Sequence, residues 1–465
     1  MPHFKFKTEK KTIMTNHSPH TIHIALSLLL LFLFSSCDNR KNNTSQDKGM
    51  FMSDSQHTGK YNSESVKKEP DILWKVKTAG QVISSPVLVD NMLYVGSEDH
   101  KLYAIDATKG TVKWTYETNG PVNSSPLVAK GKVMFLSYDG FFYALNQADG
   151  KLVWKFKTEG ESKFKVKDYY NGSFKPDFWD FYLSSAIVNN NQVYFGSSDS
   201  HVYSLNIESG EMIWNYKTEA SIHSSPAIFE NSLLIGSWDS KIYSLDIRNG
   251  KENWTYTTGR DTARYIWQGV QASTSVENGI AYIGSRDAKF YAFNIETGDT
   301  LWTNNNFDRS WMPSTAAIGK KNLYTGSSDS FRFFSINKEN GTINYATKTK
   351  AYTFSSPAID GEMAYIGSAN GRLYGIELNN GDVKWEFQTI GCRNDTLDVF
   401  NSEGERDMKK LKSLTANISD MPTLSSLYTD IFIDTGAILS SPVIANQVIY
   451  FGSSDGFIYA ITDKS

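Results

Sequence analysis

Five aspartates combine a chemically useful side chain with an irregular setting. Asp168, Asp177, Asp180, Asp261 and Asp308 all lie in segments that interrupt an otherwise repetitive sequence. A carboxylate there can act as a general base. Their spacing marks no pair, so no catalytic residue is assigned. Histidine adds nothing: His3, His17, His20, His23 and His57 precede the repeats, and only His100, His201 and His223 fall within them. Three dispersed histidines and Cys392 form no metal signature, and no metal site is expected.

Aromatic and arginine side chains make a stronger pattern. Tyr169, Tyr170, Phe174, Phe178, Trp179 and Phe181 crowd one irregular segment, Arg260, Arg264, Tyr265 and Trp267 the next, and Phe307, Arg309 and Trp311 a third. Tyr138, Trp238 and Arg286 occupy turns where other repeats have Ser or Ala. Aromatic and Arg enrichment in loops on a rigid frame is the composition of a recognition surface. The expected binding face is therefore Tyr138, Trp179, Trp238, Arg260, Arg264, Trp267, Arg286, Arg309 and Trp311.

The frame that must carry these loops is written eight times. The first copy reads Ser84-Ser85-Pro86, Tyr94-Val95-Gly96-Ser97-Glu98-Asp99, Leu102-Tyr103-Ala104-Ile105-Asp106, Gly110, Trp114. The third-strand aromatic recurs at Tyr143, Tyr203, Tyr243, Tyr291, Phe334, Tyr374 and Tyr459, at intervals of 40, 60, 40, 48, 43, 40 and 85 residues counted from Tyr103. A unit of about forty residues with four short strands predicts a β-propeller blade. The fold class is all-β, an eight-bladed propeller over 71–465. The last copy ends before its Trp strand, whereas Asp71–Thr78 carries the same Trp pattern ahead of the first, so Trp74 is expected beside Tyr459, closing the ring without an open edge. Ser84, Ser124, Ser184, Ser224, Ser273, Ser314, Ser355 and Ser440 suit crowded inner strands. Asp99, Asp139, Asp199, Asp239, Asp287, Asp329 and Asp455 suit tight turns. The outer-strand Trp residues suit wedges between blades.

The extra length always falls between one blade's outer strand and the next blade's inner strand, at 159–181, 259–269, 304–311 and 390–437. All insertions thus belong to one end of the ring, and the other end is expected to be bare turns. In 390–437, Glu403 to Leu414 reads as a short helix, and a loop of this length is either a lid or a mobile excursion.

Net charge is −3 with scattered lysines, which excludes a nucleic-acid field. The N-terminus pairs Lys5, Lys7, Lys10 and Lys11 with the apolar run Ile24 to Phe34, short for a membrane span but suited to a secretion signal over 1–36. Phe34-Ser35-Ser36-Cys37 resembles a bacterial lipobox, which makes Cys37 the expected lipidation site. Residues 37–70 read as the lipidated cysteine and a flexible polar tether with a mean span of roughly 30 Å. Lipid on Cys37 leaves Cys392 without a disulfide partner.

The run Tyr103-Ala104-Ile105-Asp106-x-x-x-Gly110-x-x-x-Trp114 resembles the blade signature of the pyrroloquinoline-quinone-like propeller family, and the likeness extends from Asp71 to the end of the chain. The resemblance implies one of two activities. Quinoprotein dehydrogenases of the periplasm hold pyrroloquinoline quinone (PQQ) and Ca²⁺ over the ring centre and oxidise alcohols or sugars; they characteristically carry adjacent cysteines, and this chain has no Cys-Cys pair. The other branch is non-catalytic and includes the lipoprotein subunit of the outer-membrane β-barrel assembly machine. A lipid anchor and a single domain favour the second. The expectation is a lipid-anchored binding scaffold at the outer membrane facing the periplasm, with an envelope protein partner such as a β-barrel assembly complex, and with PQQ and Ca²⁺ only under the enzymatic alternative.

Overall fold

A computed structural model describes residues 49–167, 174–260, 268–395, 397–418 and 421–464. Eight four-stranded antiparallel sheets are arranged as blades, and a two-stranded hairpin, Lys165–Lys167 with Phe174–Pro176, rises from the first insertion. Seven blades are built from consecutive strands. The eighth takes its inner three strands from Val443–Asp463 and its outer strand from Pro70–Lys77, with Trp74 opposite Ala460 and Lys75 opposite Tyr459. The expected closure is present.

Each repeat residue has an identifiable mechanical task. In blade 1, Trp114 lies opposite the small Ala104 at a one-residue bulge in the third–fourth strand pairing. Its ring covers Gly150 of blade 2, where φ is +70° and a Cβ would fall 2.5 Å from the indole, so only glycine combines that turn with that approach. The indole N–H then donates to a carbonyl of the neighbouring turn, as in Trp74 to Ala107 (2.7 Å), Trp154 to Ile207 (3.0 Å), Trp214 to Ile247 (2.9 Å) and Trp254 to Ile295 (2.8 Å). Where the third strand carries Tyr, the turn aspartate accepts from its hydroxyl, as Asp99, Asp139, Asp199, Asp239, Asp287 and Asp455 do, and from nearby backbone N–H groups. Asp139 accepts from Phe141 N in its own turn, from Asn119 N of the preceding link, and from the Tyr143 hydroxyl at 2.7 Å. These aspartates are structural, as their turn position predicted.

Two registers of hydroxyls organise the axis. The first serines clamp inner strand to second strand, Ser84 Oγ accepting from Gly96 N at 3.1 Å and Ser224 Oγ from Gly236 N at 2.9 Å. The second register stitches blade to blade: the N–H groups of Ser125, Ser185, Ser225, Ser273, Thr315, Ser356 and Ser441 each donate to the hydroxyl one blade onward, ending at Ser85, over 2.8–3.1 Å. Ser273 belongs to this second register, not the first as its sequence position suggested. Ala272 takes the first position.

Residues 49–69 correct the reading of 37–70 as one flexible tether. From Gly49 the chain curls within the ring mouth at the end that carries the first-to-second-strand turns, where carbonyls of Gly49, Ser55, Gln56, Thr58 and Gly59 accept from the inner-strand N–H groups of Val128, Ile228, Val276, Ile318 and Ile359 at 2.6–2.9 Å. The inward edge of an inner strand has unpaired donors, and this plug satisfies five of them. Met50 and Met52 are buried among the inner strands, and Asp54 closes the turn by accepting from Gln56 N and Thr58 N at 3.0 Å. His57 is fully buried, with Nδ1 2.9 Å from the Thr274 carbonyl, and desolvation lowers its pKa to about 4. Residues 60–69 then run over the turn-bearing rim to Pro70. The end expected to be bare therefore carries an ordered strap.

Candidate functional site

Among the described residues the insertions lie at one end, and Trp179, Phe181, Phe307 and Trp311 point inward, whereas Phe174 is exposed. Trp179, Phe181 and Trp311 form a buried cluster with Phe354, Leu439 and Phe432 that closes the ring mouth. Trp179 stacks on Phe354 at 5.8 Å with rings 5° apart, and Tyr352 meets both Trp179 (4.7 Å) and Phe432 (5.3 Å). Phe432 comes from a helix that the sequence reading missed. The long segment holds α1 (Ile390–Arg393), α2 (Met408–Leu414) and α3 (Met421–Asp434); α2 is shorter than the expected helix, and α3 supplies Ile431 and Phe432 to the packing. The signal available was the spacing of Leu424, Leu427, Tyr428, Ile431 and Phe432. Segment 390–437 is thus a packed lid. Cys392 sits in α1, and burial raises its thiol pKa.

Beneath the aromatics lies a polar network anchored by the first insertion. Asp177 forms an ion pair with Arg286, both wholly buried. Arg286 also bonds Gln271 Oε1 at 2.9 Å, and its guanidinium lies between the rings of Trp238 (4.2 Å) and Trp311 (4.7 Å). Phe164 stacks on Trp238 at 4.5 Å. Asp180 Oδ1 is 2.7 Å from His223 Nδ1, His223 Nε2 is 2.8 Å from Ser198 Oγ, and Ser198 Oγ donates to Glu161 Oε2 at 2.7 Å. Burial opposes charge on His223, but Asp180, Glu161 and Asp177 outweigh it and hold the imidazole above its usual range. Burial raises Glu161 despite bonds from Ser197 and Ser198, and raises Asp177 despite Arg286.

A serine, a histidine and an aspartate in this order have the geometry of a nucleophilic triad. The proton arrangement differs. The Ser198 hydroxyl donates to Glu161, so its proton is directed away from His223, which is not placed as the base that a nucleophile needs. The network fastens the insertion to blades 3, 4 and 5.

This placement corrects the expected binding face. Trp179, Trp238, Arg286 and Trp311 are at most 9% exposed, because the insertion and lid need their apolar area and their cation to seal the mouth. Tyr138 is half-buried; its hydroxyl has no hydrogen-bond partner, and burial pushes its pKa far up. Arg260 and Arg309 remain exposed. Arg264, Trp267, Asp168, Asp261 and Cys37 fall outside the described residues, as does 1–48. Asp308 is at the surface, 3.7 Å from Arg332.

Between lid and plug the axis retains a small cavity lined by the second-register hydroxyls with Phe51, Asn123, Tyr182, His223, Gln271 and Phe354. About 30 Å³ of it admits the centre of a water-sized sphere, room for a few waters. The residues present do not fit a quinone with Ca²⁺ over the ring centre. Aromatic side chains fill that position, Asp177 and Asp180 are engaged by Arg286 and His223, and the described residues contain no group of three or more His, Cys, Asp or Glu side chains able to hold a metal.

Eight blades, seven with Trp and one with Tyr345 on the outer strand, closed in this way define a PQQ-like β-propeller repeat protein. A sequence profile of the family described as outer membrane protein assembly factor BamB matches residues 66–168, 179–344 and 286–406, and the chain belongs to that family. No curated protein matches in sequence. Among solved structures the chain is similar to BamB from Moraxella catarrhalis, with a TM-score of 0.61 and 15% identity over 84% of this chain and 99% of that one. It is similar also to the quinohemoprotein alcohol dehydrogenase from Comamonas testosteroni (0.65, 13%, 90% and 81%) and to a europium-containing methanol dehydrogenase (0.62, 13%, 90% and 99%). At such identities these likenesses establish the fold alone.

Proposed function

We propose that this chain is a non-catalytic binding scaffold of the cell envelope, anchored through a lipid on Cys37, that presents its outer surfaces to a protein partner. The sealing of both ends of the axis carries this reading: the lid packs Trp179, Trp311 and Phe432 over one mouth, and residues 49–59 fill the other. A propeller without an open axial site has its strand edges, rims and loops left for recognition. Membership of the BamB family supports a role in outer-membrane protein assembly, with a β-barrel assembly complex as partner. On the lid side, Arg260 and Arg309 are the exposed members of the expected face.

The test is in-cell cross-linking followed by purification of the intact, tagged chain. Enrichment of a β-barrel assembly protein, reduced in an Arg260→Glu, Arg309→Glu double variant, supports the proposal. Stoichiometric binding of PQQ with Ca²⁺ in a calorimetric titration, accompanied by dye-linked oxidation of an alcohol or sugar, overturns it.

A further inference from the structure

We infer that the axial cavity is a binding site for a small monovalent anion of the size of chloride, held together with water by the hydroxyl groups that ring the axis. The inference goes beyond the scaffold reading and does not rest on it.

The two hydroxyl registers differ in where their protons go. In the first register the protons are spent on backbone carbonyls: Ser84 donates to Ser124 O at 2.8 Å, Ser124 to Leu136 O at 2.8 Å, Ser224 to Gly236 O at 2.7 Å and Ser314 to Ser355 O at 2.9 Å. In the second register, the seven hydroxyls from Ser185 round to Ser85 each accept a backbone N–H, and none of them donates to an acceptor among the described residues. All seven are at most 7% exposed, and all line the same cavity. A hydroxyl that has accepted an N–H still has its own proton to place, and burying that proton without an acceptor is unfavourable.

Donors therefore outnumber acceptors around the axis. The buried side-chain acceptor left without a partner in the lining is Asn123 Oδ1, whose Nδ2 donates to Glu98 Oε1 at 3.2 Å and to the Phe181 carbonyl at 3.0 Å. His223 meets Asp180 and Ser198 through its two nitrogens, and the lining contains no Asp or Glu among the described residues. A cation would find no opposing charge there. An anion can accept from several hydroxyls at once, which is the condition for burying a charge.

Size selects among anions. About 30 Å³ of the cavity admits the centre of a water-sized sphere, room for roughly two to three such occupants. A spherical ion and its water fit within that space, whereas a tetrahedral oxyanion with four oxygens exceeds it. The water has its own task. Asn123 Oδ1 needs a donor, which an anion cannot be, and a water can serve it while accepting from a neighbouring hydroxyl. Because the hydroxyls come from successive blades, the ion binds only the closed ring, and its concentration is linked to the stability of that ring.

The experiment uses the full chain and bromide as the probe. Unfolding in urea is followed at constant ionic strength while sodium bromide replaces sodium gluconate, and crystals grown in bromide are measured at the bromine absorption edge. The expected results are an anomalous peak inside the cavity in contact with second-register hydroxyls, and an unfolding midpoint that rises with bromide. A Ser273→Ala, Ser356→Ala double variant, which also loses the acceptors for Ser225 N and Thr315 N, should start from a lower midpoint and lose the bromide-dependent rise. No peak in the cavity of the unmodified chain overturns the inference. So does a peak without a bromide-dependent midpoint, which marks an adventitious ion only, or an equal rise in the double variant.

Discussion

Trp385 donates its indole N–H to the carbonyl of Val66 at 2.9 Å. In the preceding blades the equivalent side chain reaches the turn between third and fourth strands of its neighbour. Blade 8 has no such turn, because its third strand ends near the C-terminus and its fourth arrives from the N-terminus. Val66, wholly buried, occupies the missing turn's place, and Tyr365 Oη accepts from its N–H at 2.8 Å. The strap is thus a structural replacement for a covalent connection. Trp385→Phe, which leaves this carbonyl without its indole donor, is expected to cost about 1–3 kcal/mol. Denaturant unfolding checks it, with Trp114→Phe as the comparison: that indole bond is 3.3 Å long and its partner lies in an ordinary turn, so a larger loss at Trp114 would contradict the assigned role of Val66.

Arg286 is expected to behave as an interior residue. Its removal leaves Asp177 buried without its cation and opens the space between Trp238 and Trp311, so Arg286→Ala should lose about 3–5 kcal/mol. Trp311→Ala should lose a similar amount as a large core truncation, about 3–5 kcal/mol. Arg309→Ala, two residues away and exposed, should leave the melting temperature nearly unchanged. Thermal melts of the three variants decide between a sealed mouth and an open aromatic face, since an open face predicts near-wild-type melting for all of them.

Much of this architecture was legible because propeller repeats are under local geometric constraint. Gly110 must accept Trp74, Asp99 must bond Tyr103, and Trp74 had no strand partner other than the one carrying Tyr459. The plug was not legible, because Gly49, Ser55, Gln56, Thr58 and Gly59 act through backbone carbonyls, and such contacts impose no alternation of apolar side chains. The loops concealed a different fact. Composition identified Trp179, Trp238, Arg286 and Trp311 as a group but could not give their direction. That depends on Asp177, which is 109 residues from Arg286 in sequence, and on an α3 that contributes a single face of a few apolar side chains.

Acidity should tighten the attachment of the first insertion. His223 is held above its ordinary range, so its contribution is fully present below the unfolded imidazole pKa and is lost as pH rises through the higher folded value. Glu161 and Asp177 are raised by burial, and each likewise favours the folded state more when protons are available. The three effects share a sign, whereas buried His57, lowered to about 4, opposes them below the ordinary imidazole pKa of about 6.5. Unfolding midpoints should therefore fall as pH rises above that value, where His57 no longer contributes, and the decline should be shallower in His223→Gln. A midpoint that rises with pH there would remove the network as its source.

Ser198 provides the sharpest separation of geometry from chemistry. Its distances to His223 and onward to Asp180 match those of a hydrolase, yet it lies in a sealed interior and its hydroxyl proton is shared with Glu161. A nucleophile needs a base that receives its proton and a path for the acyl group; the Ser198 proton is directed at Glu161 instead of His223, and Ser198 is buried. A fluorophosphonate probe should leave the intact chain unlabelled at neutral pH, and Ser198→Ala should alter stability without altering probe incorporation. Glu161→Gln is the stricter test. It removes the carboxylate that accepts the serine proton and one of the charges that raises the His223 pKa, so it moves the site toward the hydrolytic arrangement. If covalent labelling of Ser198 appears in the native protein, and not merely in that variant, the network is an active site and its assignment as a fastening is wrong.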